Sequence, residues 1–160
     1  MTIRAFVFAF IALVVSPTAA LAEPPDPAEW IRSIYRLYEK AQLGPKLPPR
    51  LYSPRLQKLI DADAKRTPKG DIGRLEFDVF INGQDWELSN INVTTVSRAS
   101  GRAQVRADFI NFKQSTEILF DLVLVGNSWR VDEIRSLKTP RWTMSKILSG
   151  AKDAFPDQQK

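Results

Sequence analysis

Apolar side chains recur at every second residue through most of 103–131, the pattern of strands that bury one face and wet the other. A two-residue turn at Lys113-Gln114 would set Ala103, Val105, Ala107 and Phe109 opposite Leu124, Leu122, Phe120 and Ile118, with Arg106 opposite Asp121 on the other face. A second turn at Gly126-Asn127, residue types that adopt positive φ readily, pairs Leu124 with Trp129 and Leu122 with Val131. A loop through Arg98-Ala99-Ser100, with Gly101 in a bulge, pairs Val93 with Val105 and Ile91 with Ala107. Leu75, Phe77, Val79 and Ile81 alternate with Glu76 and Asp78 in the same way. The expected strands are therefore 75–81, 86–96, 102–112, 116–125 and 128–135.

Helical spacing appears on either side of these strands. Asp26 is placed to cap a helix that begins at Pro27, with Glu29 completing a capping box. Trp30, Ile34, Leu37 and Ala41 form its stripe, widened by Ile31, Tyr35 and Tyr38, and Gly44-Pro45 ends it. Ser53-Pro54 opens a second helix to about residue 65, with Leu56, Leu59 and Ile60 apolar and Asp63 on the same side. Thr139-Pro140 starts a third helix, over about 140–154, carrying Met144, Ile147, Leu148 and Ala151. The pattern predicts an α+β fold: two N-terminal helices and a C-terminal helix against a curved antiparallel sheet of four to five strands. The core is expected within 27–137, and no repeat or composition break marks a second domain.

The first 22 residues read as a secretory signal: Arg4, an apolar run over 5–15, then Ala20-Leu21-Ala22 as a small-residue cleavage site. The run is shorter than the roughly 20 apolar residues that span a bilayer, so no stable membrane anchor is expected after cleavage. Residues 23–160 would then form one domain, periplasmic or secreted and bacterial, with 22 basic against 18 acidic residues. That excess of +4 is spread out, with no basic block interleaved with aromatics, so nucleic acid is not an expected partner. The absence of Cys and His changes the picture more. It removes disulfides, the imidazole base, the Ser-His and Cys-His pairs and the usual zinc or copper sites. Asp61-Ala62-Asp63 is no calcium loop, because Lys65 stands where a third oxygen ligand is needed. No glycine-rich phosphate loop occurs, and neither metal nor cofactor is expected.

Two short motifs carry a family resemblance. Asp78-Val79-Phe80 followed by Gly83-Gln84-Asp85-Trp86 is similar to a D-P-F then Q-D pattern, with Val79 in the place of the proline. Ser128-Trp129-Arg130-Val131-Asp132-Glu133-Ile134 is similar to a W-R-I-D-x-I closing strand. Both patterns belong to the secreted bacterial proteins of the domain of unknown function 3828 family, in the nuclear transport factor 2-like superfamily, and the resemblance spans roughly 27–134. It implies a cone-like fold and bacterial export. Many members carry a lipoprotein cysteine, which this chain lacks. The family has no agreed activity, so the resemblance leaves function to the residues.

Three groups of residues offer chemistry. The expected register aligns Asn92, Arg106, Asp121 and Asp132 in one polar row, a carboxylate pair beside a guanidinium that reads either as a binding site or as a solvated charge ladder. A bulge near Asp132-Glu133 would separate the two carboxylates. Gln84, Asp85 and Trp86, polar residues beside an aromatic in a loop, suggest a binding site for a ligand or partner, or a turn stabilised by Asp85. Asp63 with Tyr35 and Tyr38 forms the third group. Ketosteroid isomerase, of the same superfamily, works with an Asp base and a Tyr donor and without His. The sequence is therefore read as an exported, non-catalytic binding domain. Its partner would be a small apolar ligand, a periplasmic protein, or a second copy in a homodimer. The alternative is an isomerase- or dehydratase-type enzyme using Asp63 and a tyrosine.

Overall fold

A computed structural model of the chain describes residues 24–158; the expected signal segment and its cleavage site lie outside them. Among the described residues the fold is α+β, with three α-helices and an open five-stranded antiparallel sheet in the order β1 (Leu88–Ala99), β2 (Arg102–Asn111), β3 (Gln114–Val125), β4 (Ser128–Ser136) and β5 (Trp142–Thr143). Helix α1 (Pro27–Lys40) begins as its sequence implies: Asp26 accepts from the Glu29 amide at 3.0 Å. Glu29 turns instead to Arg32 and Arg36, so the capping box is only half made. In α2 (Pro54–Arg66), the Ser53 hydroxyl accepts from the Leu56 amide at 3.1 Å.

Alternation along the central strands is clean. In β2 Ala103, Val105, Ala107 and Phe109 are buried, and in β3 Ile118, Phe120 and Leu122 are buried, while the residues between them stay at least partly exposed. Ile31, Ile34, Tyr35 and Tyr38 of α1 join this inner face in a single core, and α1 packs over β1 and β2. Helices α2 and α3 (Met144–Ser149) pack against each other and against β4. Beside β4, the chain before α2 forms a parallel bridge, Tyr52 to Val131.

The expected faces are observed, but two hairpins are shifted. The β2–β3 turn is Phe112-Lys113, both at positive φ (46° and 69°), so Val105 faces Phe120 and Ala107 faces Ile118. Each β2 residue thus meets a partner two positions from the expected one, and side-chain parity survives. The turn sits where it does because Asn111 is buried and needs its amide satisfied: it accepts from the Glu87 amide and donates to the carbonyls of Ile81 and Asp85. Similarly, Val93 faces Ala107, and Val105 faces Thr95, because bulges at 89–92 and 95–97 reset the β1 register. The β3–β4 hairpin follows expectation, with Gly126 at φ 62° and Leu124 paired with Trp129.

Two elements differ outright. Residues 75–81 form no strand. Asp78 accepts from the Phe80 amide at 2.8 Å and its backbone bridges to Gly83, folding the segment into a tight loop that buries three consecutive residues, Val79, Phe80 and Ile81. The fifth strand is the short β5 instead. The C-terminal helix is also shorter than 140–154, since Trp142-Thr143 is spent on β5 and Gly150, at φ 71°, terminates α3.

Trp129 is 1 % exposed; its indole N–H donates to the Pro25 carbonyl at 2.8 Å, and the Arg98 guanidinium lies 6.0 Å from its ring. Trp129→Ala is expected to cost about 3–5 kcal/mol, the usual range for deleting a buried large aromatic. A chemical-denaturation midpoint left unchanged would contradict this placement.

Candidate functional site

The same alternation that builds the core sends Gln104, Arg106, Asp108 and Ile110 of β2 and Glu117, Leu119, Asp121 and Val123 of β3 to the outer face, where none is buried. Cross-strand pairing arranges them in rows: Thr94, Arg106, Leu119 and Arg135 in one, Ser97, Gln104, Asp121 and Glu133 in the next. Charges are paired both along and across the strands. Asp121 accepts from Arg135 at 2.6 Å and from Gln104 at 2.9 Å. Arg106 reaches Asp108 at 3.2 Å and Glu117 at 3.7 Å. Partly buried Leu119 lies between these pairs, with Ile110 and Val123 beyond them at either end. A surface recess of about 310 Å³ opens among Ser97, Arg102, Gln104, Asp121 and Asp132.

The expected row of Asn92, Arg106, Asp121 and Asp132 is therefore not one row. Arg106 faces Leu119 because of the two-residue shift, and Asn92 faces Asp108. Asp132 is the extra residue of a bulge: Leu122 pairs with Val131 but Asp121 with Glu133. Its carboxylate accepts from the Ser53 hydroxyl at 2.5 Å and from Arg55 Nε at 3.1 Å. Glu133, not singled out by the sequence, accepts from the Ser145 amide at 3.0 Å and from the Ser145 hydroxyl. Glu133 and Ser145 stand twelve residues apart, a separation that gives little warning of that contact.

Gln84, Asp85 and Trp86 lie in the loop held by Asn111, apart from the Asp121 recess. Gln84 donates to the Glu76 carbonyl and Trp86 to the Tyr38 carbonyl, its ring 5.8 Å from Tyr38. Trp86 thus anchors the loop on α1. The aspartate that folds this region is Asp78, expected in a strand; an Asp two residues before Phe80 and just ahead of Asn82-Gly83 is the signal the sequence carries for it.

Asp63, Tyr35 and Tyr38 do not converge. The Tyr35 hydroxyl donates to the Phe80 carbonyl at 2.9 Å, and the Tyr38 hydroxyl to Asp78 at 2.6 Å. Burial pushes both phenols well above their ordinary range, and the Asp78 charge pushes them further. Asp63 is buried at the end of α2. Its Oδ2 accepts from the Arg74 amide at 2.9 Å, and its Oδ1 from the Arg74 guanidinium at 2.8 Å, with Arg66 at 3.5 Å. Burial alone would raise its carboxyl; the Arg74 amide and guanidinium outweigh that and hold it below the usual carboxylate range. A carboxyl whose pKa is lowered in this way is a weaker proton acceptor, further from the near-neutral value that suits a general base. Its visible work is to clasp the following loop: a Cβ on Gly73 would lie 2.7 Å from Asp63 Oδ2. Among the described residues, no group of three or more carboxylates is arranged to hold a metal ion.

No match was found among protein-family models, curated proteins or solved structures.

Asp63→Asn is expected to lower unfolding free energy at pH 7 by about 1.5–3 kcal/mol, the range for hydrogen bonds to a charged group. A carboxyl lowered on folding stabilises the fold above its unfolded value, near 3.8, and that contribution disappears as pH falls through the lower folded value. Urea titrations at neutral pH and near pH 3 should show the gap between wild type and variant closing at the acid end. A gap constant with pH would contradict the clasp.

Proposed function

We propose that this chain is an exported, non-catalytic binding domain of the bacterial periplasm, and that its partner is a protein engaged through the outer face of β2, β3 and β4. The observation that carries the reading is the contrast between the two faces of the sheet. Val105, Ala107, Ile118, Phe120, Val131 and Ile134 are each 0 % exposed, so the inner side is occupied by its own side chains and offers little room for an apolar ligand. The outer side carries Arg106, held by Asp108, and Arg135, held by Asp121, together with partly buried Ile110, Leu119 and Val123. Arginines held in place beside apolar side chains lose little freedom on binding, and Arg is enriched at the centres of protein interfaces. The export part of the proposal rests on the signal-like residues 1–22. Support for the non-catalytic part comes from Asp63, bound by Arg74, and the two tyrosines bonded elsewhere.

A photo-crosslinking amino acid in place of Leu119, expressed in the native periplasm, should give an adduct of one discrete mass. The same probe in place of exposed Lys58 on α2 should not. Arg106→Glu, which sets a carboxylate among Asp108 and Glu117, should weaken the Leu119 adduct at least about tenfold, the equivalent of roughly 1.4 kcal/mol. Equal adducts from both positions, no adduct from Leu119, or an adduct indifferent to Arg106→Glu would each count against this face.

A further inference from the structure

Between α1 and α2 the chain runs through Leu43-Gly44-Pro45-Lys46-Leu47-Pro48-Pro49-Arg50, outside every helix and strand. Proline fixes its own φ at about −65° and pushes the residue before it out of the helical region. Leu47 and Pro48, each followed by a proline, are therefore extended. Positive φ is confined to the two ends, Gly44 at 100° and Arg50 at 57°, where the chain turns. Among the described residues, no backbone group of 43–47 forms a hydrogen bond. These are the properties of a polyproline II helix, which has three residues per turn and no internal hydrogen bonds. That repeat sets Pro45 and Pro48 on one edge, Lys46 and Pro49 on a second, and Leu47 on the third. Leu47 packs against the core, so its edge faces the protein, while Lys46, Pro48 and Pro49 are exposed.

Both ends of the segment are tied down. The Ala41 amide donates to the Tyr38 carbonyl as α1 closes, and the carbonyl of buried Leu51 accepts from the Val131 amide at 2.9 Å. An extended segment held at its ends and at Leu47 loses little freedom when a partner closes on it. Its charge has one sign: residues 40–60 include Lys40, Lys46, Arg50, Arg55 and Lys58 and no acid. Lys46 and Arg50 form no ion pair among the described residues. Leu43, at the head of the segment, is fully exposed. Pro45-Lys46-Leu47-Pro48 has the P-x-x-P spacing that aromatic-lined grooves read. From this we infer that 43–50 is a docking segment for a protein domain with an aromatic-lined groove and carboxylates on its rim. The rings take the two outward edges of Pro45 to Pro49, and the carboxylates meet Lys46 and Arg50. The inference is independent of the protein-binding face, since the segment belongs to no strand of the sheet.

The test uses the whole domain and two isotope-labelled probes, an SH3 domain and a WW domain, each chosen with carboxylates beside its groove. Two-dimensional NMR follows the groove signals of each probe as the unlabelled chain is added. At least one probe should shift saturably, with a Kd below about 1 mM. Pro45→Ala with Pro48→Ala should weaken that binding at least about tenfold, and so should Lys46→Glu with Arg50→Glu. Both pairs lie outside the helices and strands, and an unchanged circular dichroism spectrum checks that the fold is kept. Arg106→Glu, on the outer sheet face, should leave the affinity as it is, which separates this segment from the sheet. Groove signals of both probes unmoved up to about 1 mM chain, binding indifferent to the proline pair or to the charge pair, or an equal loss on Arg106→Glu overturns the assignment.

Discussion

The bulge in β4 organises the rest of the molecule. By inserting Asp132 between the residues that face Leu122 and Asp121, it sets two carboxylates, Asp132 and Glu133, side by side in the strand. Adjacent like charges repel unless donors or cations compensate them. Both helices packed on β4 provide the compensation. Ser53, which caps α2, donates to Asp132, and Ser145 at the start of α3 donates to Glu133. Arg55 stands between, 3.1 Å from Asp132 and 3.8 Å from Glu133. One local irregularity therefore fixes where two helices begin.

At their other ends the same two helices meet a second junction. Arg66 donates to the Leu148 carbonyl of α3 at 2.8 Å, while Asp63 clasps Arg74 in the loop that follows α2. With α2 and α3 held on β4 and α1 over β1 and β2, the inner face is filled. Trp129, tied to Pro25, joins the beginning of the described chain to that core. The outer sheet face, by contrast, stays open, with none of residues 104, 106, 108, 110, 117, 119, 121 and 123 buried. Any binding has to use surfaces that the core has left over.

Face assignment was legible in the sequence because parity is robust: a hairpin that slips by two residues changes every partner yet leaves each side chain on its side. Hence Val105 and Phe120 were correctly placed inward although their pairing was not. The polar row was not legible, since it depends on absolute register, and that register is set by Asn111 reaching the distant 81–87 loop. Residues 75–81 looked like a strand because alternation is also what a compact loop shows when it buries only some of its side chains; Asp78 folding back on Phe80 decided the matter. The helix expected over 140–154 was cut short by Gly150, a residue the stripe of Met144, Ile147 and Leu148 made easy to overlook. Asp63 was rightly placed on the buried side of α2, but its role follows from Arg74, eleven residues on, which helical spacing cannot reveal.

The central claim is that Asp132 and Glu133 act as one junction through Arg55, and a double-mutant cycle in unfolding free energy tests it most directly. Asp132→Ala and Glu133→Ala, measured singly and together by urea denaturation, should be non-additive by at least about 0.5 kcal/mol, the lower bound for groups within one network. If the two losses simply add to within a few tenths of a kcal/mol, the helices are anchored separately and the bulge does not unite them.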